Sequence, residues 1–210
     1  GIPDAQESRG LGDVYKRQPW QRTKLMLLMR PYSWDHPMMR GEIHYAPSVY
    51  RMNMAFWLMK SEPHVYPWKQ LVEDGNTHWD GVRNYQARNI MRDDMKIGDF
   101  VLFYHSNCKP PHVAGVSRVC REAYPDFTAL DSNSNYFDPK SSPDNPRWMM
   151  VDIEAVEGFP DVVPLGDMRE NGQLEGMPLL QRGQRLSVQP VSHEHFDIVC
   201  RMGGLDPSSL

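Results

Sequence analysis

No apolar run in this sequence approaches the roughly 20 residues that a membrane-spanning helix needs, so no span of that kind is expected. Cysteine is scarce. Cys108, Cys120 and Cys200 lie far apart with no CxxC pair, which excludes a disulfide framework and a zinc ribbon and fits a reducing compartment. There is no GxxxxGK[ST] phosphate loop, no GxGxxG, no HExxH and no GxSxG. Those absences speak against a P-loop nucleotidase, a dinucleotide enzyme, a zincin and an α/β-hydrolase. Internal repeats and low-complexity tracts are also missing. So is an excess of positive charge: the formal net charge is −4 at pH 7, which argues against binding nucleic acid through a broad basic face.

What remains is an ordinary globular composition of 210 residues, 40% hydrophobic and 24% charged. The charge is unevenly spread. Residues 1–53 carry eight Lys/Arg against five Asp/Glu, and residues 54–210 carry fifteen against twenty-two. Gly1 to Gly12 follows neither a helical nor a strand period. Asp13-Val14-Tyr15-Lys16-Arg17-Gln18 resembles the in-frame translation of a sequencing-library adapter, so residues 1–18 are set aside as a construction scar. Residues 19–53 read as a leader of weak structure or as untranslated sequence read through. Their apolar stretch Lys24–Arg30 is too short for a signal peptide and lacks a small-residue cleavage site. Met52 and Met54 are natural starts, and the domain is placed at residues 54–205.

Within that domain, Phe56–Met59 reads as a buried strand and Pro67–Glu73 as a short helix with Gly75 past its end. Asn84 is a candidate N-cap for a helix reaching Met95, with Ala87, Ile90, Met91 and Met95 as its apolar stripe. Phe100–Tyr104 and Val113–Val119 read as paired strands, separated by a loop with two prolines. Tyr124–Arg147 reads as a long loop pinned by aromatics, and Trp148–Val156 as a strand. Short helical pieces follow at Leu165–Glu170 and Pro178–Gln181. Leu186–Gln189 reads as a strand ended by Pro190, and Ser192 as the cap of a last helix. These elements predict an α+β fold: a small, mostly antiparallel β-barrel flanked by short helices.

Three constellations invite chemistry and are set aside on physical grounds. His193-Glu194-His195 offers two imidazoles, but alternate residues on a helix diverge, and Glu194 complements the helix dipole. Asp93-Asp94 reads as the solvated end of an amphipathic helix. Cys108 has no base beside it in sequence and reads as a bystander. A fourth group is more informative. Lys60-Ser61-Glu62-Pro63 follows the first strand, Trp79 to Gln86 leads into the long helix, Tyr104-His105-Ser106-Asn107 ends another strand, and Arg182, Arg185, Ser187 and Gln189 lie near the last. Each puts hydrogen-bonding groups at the edge of an apolar element. Converging, they would form a small pocket for a flat heterocycle. The residues alone leave open whether Trp79 walls that pocket or belongs to the core.

Phe56-Trp57-Leu58-Met59-Lys60-Ser61-Glu62-Pro63, Trp79 to Asn89 and Phe103 to Cys108 resemble the EVE domain. Asp144-Asn145-Pro146-Arg147-Trp148, Gly176 to Leu180 and Arg185 to Val191 continue the resemblance in order, over about residues 55–202. Within that family the chain is similar to the thymocyte nuclear protein 1 group. The resemblance implies a PUA-like fold related to the YTH domain, and a non-catalytic reader of a modified base in DNA or RNA, with modified cytosine in DNA foremost. An enzyme such as a nuclease or glycosylase, or a protein-interaction scaffold, is the alternative; no convergent acid/base set supports an enzyme.

Carried over by motif, Trp79 is the stacking wall, with Lys60 and Ser61 at the pocket mouth and Asn84 and Tyr85 behind it. Tyr104, His105 and Ser106 form the opposite rim. Ser187 meets the base, and Arg182 and Arg185 meet the phosphates, within a local basic patch that also includes Lys60 and Lys109. A YTH cage places a second tryptophan after the Tyr104 position. None stands there, and Tyr85, Tyr104 or Trp57 would take its place. No metal, cofactor or membrane partner is implied. The chain is expected to be a monomer, located in the nucleus of a eukaryote or at the nucleoid of a bacterium.

Overall fold

The computed structural model describes residues 54–210, and the expectations for residues 1–18 and 19–53 lie outside them. Strand β1 (Phe56–Ser61) leads to helix α1 (Trp68–Asp74), a short strand β2 (Asn76–His78) and helix α2 (Tyr85–Asn89). Strands β3 (Phe100–His105), β4 (His112–Pro125) and β5 (Met149–Pro164) follow, then helix α3 (Leu165–Glu170), strand β6 (Val188–Val191) and helix α4 (His193–Met202). Asn84 caps α2 as expected, its side chain accepting from the backbone N–H groups of Gln86 and Ala87. Ser192 caps α4 by accepting from His195 N–H. The expected long second helix is shorter in its regular part: α2 ends at Asn89, and a π-turn spans Ile90–Asp94.

The six strands form one sheet in the order β2-β5-β4-β3-β1-β6. Four of the five pairings are antiparallel and β1 with β3 is parallel. The sheet does not close into the expected barrel. Closure would require β2 and β6 to pair, but these are its two edges, three and four residues long. Pro190 sits inside β6 rather than ending it, opposite Trp57. A proline is admissible there because an edge strand has one side with no ladder to support. Strands β4 and β5 run longer than their apolar cores suggest. Their pairing continues through four register shifts, which let the ladder pass polar stretches such as Arg121–Ala123.

Strand alternation gives the sheet two buried faces. On one, Phe56, Leu58, Leu102 and Tyr104 pack against Met168 of α3 and Phe196 and Val199 of α4. On the other, Trp57, Met59, Val101 and Phe103 pack against Leu71 of α1, Ala87 of α2, Met91 and Trp79. Gly115 and Gly158 let the Trp68 ring lie against the sheet: a Cβ on Gly115 would stand 2.7 Å from that ring. Asp99 is buried and ties β1 in place. It accepts from Ala55 N–H and Trp57 Nε1–H, both at 2.9 Å, and from Lys96 N–H.

The loop from Asp126 to Trp148 is pinned, as its aromatics suggest. Buried Asp126 accepts from Gly81 N–H at 3.0 Å and from the Arg83 guanidinium at 2.7 Å. Arg83 in turn lies over the rings of Tyr136 and Trp148, and Trp148 Nε1–H donates to Asp138 at 2.8 Å. Gly81, at φ +76°, sits where any Cβ would be 2.8 Å from the Tyr136 ring.

Candidate functional site

Strands β1 and β3 are parallel neighbours, so their C-terminal ends finish side by side, with Lys60 paired to Tyr104 and Ser61 to His105. Beyond them lies a cleft of about 510 Å³. Its floor includes Lys60, Tyr104 and Ser106; Leu165 and Arg169 of α3 line one side, and the segment Leu179–Arg185 lines the rest. Four cations (Lys60, Arg169, Arg182 and Arg185) face this space, and no carboxylate is among the described lining residues. Apolar wall comes from Leu165, Leu179 and Leu180. A second hollow of about 360 Å³ adjoins it and shares Arg169, Leu180 and Gln181.

The titrating groups of the cleft are set by burial. Lys60 is pushed down to about 8 because its amine is partly desolvated. Its Nζ donates to the Gln184 carbonyl at 3.3 Å. The Tyr104 phenol is pushed up to about 12, first by desolvation and then by the Cys108 thiol, with Arg169 opposing. Ser187, picked from sequence as a base contact, is buried and is not among the residues lining the cleft. Its carbonyl accepts from Lys60 N–H at 2.9 Å, while its buried hydroxyl has no partner among the described residues.

Five of the residues picked from sequence therefore meet in one place: Lys60, Tyr104, Ser106, Arg182 and Arg185. Ser61 and His105 do not join them, because consecutive strand residues point to opposite faces. Ser61 is buried on the far face and donates its hydroxyl to the Tyr66 carbonyl at 2.8 Å. His105 is on that face too. It accepts from Trp68 N–H through Nε2 at 3.1 Å, and burial, with His112 nearby, lowers it to about 4, so it is neutral. Asn84 is occupied as a helix cap. Tyr85 is half exposed, stacked on Trp148 at 4.9 Å, with the Arg88 guanidinium 5.0 Å from its ring centre.

Trp79 corrects the sequence expectation most plainly. It is 2% exposed and meets Phe103 edge-on at 5.6 Å, so its ring face is packed in the core rather than walling the cleft. Among the described residues its buried Nε1–H has no partner, and neither has the side-chain oxygen of Gln189. Arg169, Gln181 and Gln184 were missed. The run Gln181-Arg182-Gly183-Gln184-Arg185 carries the only local signal for the last two, and nothing near Arg169 in sequence marks it.

The constellations set aside behave structurally. The His193 ring stacks on Phe56 at 4.9 Å, and its Nε2 faces Asp197. Asp93 pairs with its neighbour Arg92 at the surface. The thiol of Cys108 does have a histidine beside it, with His112 Nδ1 at 3.9 Å. That nitrogen donates to the Pro110 carbonyl at 2.9 Å, so it is no base, and burial raises the thiol further.

The EVE domain family matches residues 55–202. Human thymocyte nuclear protein 1 is 43% identical over 171 residues, which cover 72% of this chain and 75% of that protein. A protein of solved structure from Pseudomonas putida is 46% identical with a TM-score of 0.69, covering 71% of this chain and 99% of that one. The crystal structure of human THYN1 protein in complex with DNA containing 5-methylcytosine is also similar. It is 40% identical with a TM-score of 0.67 and covers 73% of this chain and 99% of that one.

Proposed function

The chain belongs to the EVE domain family, and on that premise we propose that it is a non-catalytic reader of a modified base, with 5-methylcytosine in DNA the leading ligand. The observation that carries this reading is the cleft at the ends of β1 and β3. Four cations without a carboxylate suit the phosphates on either side of one nucleotide. At about 510 Å³, the space falls within the ~300–1,000 Å³ typical of small-molecule sites. Tyr104 and the three leucines offer the apolar surface that a base loses when it leaves its stack. Few phosphates are contacted, which reconciles an acidic domain with a polyanionic ligand. The likeness to a human protein held with methylcytosine DNA supports the choice of base.

The reading predicts preference, not merely binding. In anisotropy titrations at fixed low salt, a short DNA carrying one 5-methylcytosine should bind more tightly than the same DNA with cytosine. The matched RNA pair belongs in the same series, since a larger preference there would move the ligand to RNA. Equal affinity for all four oligonucleotides would reject the reader.

A further inference from the structure

The reading above uses Lys60 only as a cation, and its surroundings equip it for something else. Its backbone is fixed at the end of β1 by the bond from its N–H to the Ser187 carbonyl, which holds its side chain on the cleft face. Its amine donates to a neutral carbonyl, that of Gln184, at 3.3 Å. Three arginines share the lining, and among the described residues no carboxylate in it steadies the ammonium form. Burial brings the amine down to about 8. An ordinary lysine near pH 7.4 is free base in only about one molecule per thousand, so this one is far richer in nucleophile.

We propose that Lys60 captures an aldehyde carried on DNA as a reversible Schiff base. This rests on the cleft being the DNA site. Two DNA aldehydes have the required chemistry: the 5-formyl group of an oxidised methylcytosine and the ring-opened C1′ aldehyde of an abasic site. The Nζ lone pair forms a bond to the carbonyl carbon, and the carbonyl oxygen takes up a proton to give a carbinolamine. That oxygen then departs as water with the remaining amine proton, leaving C=N. One water is released, and neither an oxidant nor a reductant takes part. The arginines around Lys60 hold the flanking phosphates while the bond forms.

The test traps the imine. The whole chain is incubated with cyanoborohydride and DNA carrying 5-formylcytosine, an abasic site, 5-methylcytosine or cytosine, and adducts are resolved on gels and mapped by peptide mass. An adduct mapping to Lys60, with a yield rising from pH 6 to 8, is expected from one or both aldehydes; the productive arm identifies the source. Lys60→Arg should lower the adduct by about tenfold or more per bound complex, since ordinary lysines hold about a hundredth of the free amine. Lys69→Arg, on the exposed face of α1, should not. No adduct from either aldehyde, or one mapping elsewhere on the wild-type chain, overturns the proposal whether or not the variants fold. A chain that prefers methylcytosine yet forms no adduct overturns this inference alone. An adduct at Lys60 without methylcytosine preference overturns the reader and leaves capture standing.

Discussion

Trp79 and His105 illustrate how one side chain can look functional in sequence and be structural in space. Trp79 is packed edge-on to Phe103, and truncation would open a cavity between α2 and the sheet. Trp79→Ala is expected to cost about 3–5 kcal/mol of stability, read as a fall in the denaturant midpoint. A variant that kept its stability but lost methylcytosine preference would return Trp79 to the binding surface. His105 carries a pH signature. Burial holds it near 4 in the folded chain, whereas the unfolded chain takes up the proton near 6.5. The unfolded state thus binds more protons between these values, and its contribution to stability is complete above about 6.5 and is lost as pH falls towards 4. Melting temperatures from pH 7 to pH 4.5 should therefore decline less steeply for His105→Gln than for the wild type. Parallel curves would mean that His105 does not titrate with unfolding.

At the scale of elements, the segment between the turn at Pro178–Leu180 and β6 matters most, because it brings Arg182 and Arg185 to the cleft. Arg185→Ala should weaken methylated and unmethylated DNA alike, and flatten the dependence of log K on log salt by about one unit for the single phosphate it no longer neutralises. Loss of preference with an unchanged slope would instead make Arg185 a reader of the base. Element identity was largely legible: β1, α1 and β3 follow from apolar patterning and flanking breakers, and the starts of α2 and α4 from the caps at Asn84 and Ser192. Two features were not. Strand β2 has only three residues and little apolar character, so it exists by pairing with β5 rather than by its own pattern. The polar end of β4, Arg121 to Pro125, is held by the start of β5, and the end of β5 by the start of β4, through register shifts that a local pattern does not reveal. The cleft was half legible. Motifs run in sequence order, whereas a strand sends alternate residues to opposite faces, so Lys60 and Tyr104 reach the cleft and Ser61 and His105 do not.

For the molecule as a whole, the described residues of both buried faces come from the proposed domain, 54–205, with Leu210 packed at the margin. A chain beginning at Met54 is accordingly expected to melt within a few degrees of the full chain, whereas a larger drop would mean that earlier residues contribute to the fold. Scanning calorimetry on the two chains decides it.

The lysine of the cleft and the serine behind it are separated by one peptide bond and by the full thickness of a sheet. That makes β1 far more sensitive to its reading frame than to its composition. Exchanging one side chain alters one face only. Removing a single residue slides everything on one side of the gap by one step, turning outward what faced in. With Met59 deleted, Lys60 would be thrust among Trp57, Phe103 and Trp79, while Ser61 took its place at the cleft. Single-codon deletions within this strand should therefore be lost from any library selected for folding, even where nearly every substitution at Lys60 survives. The two classes of lesion would separate fold from recognition without any ligand in hand.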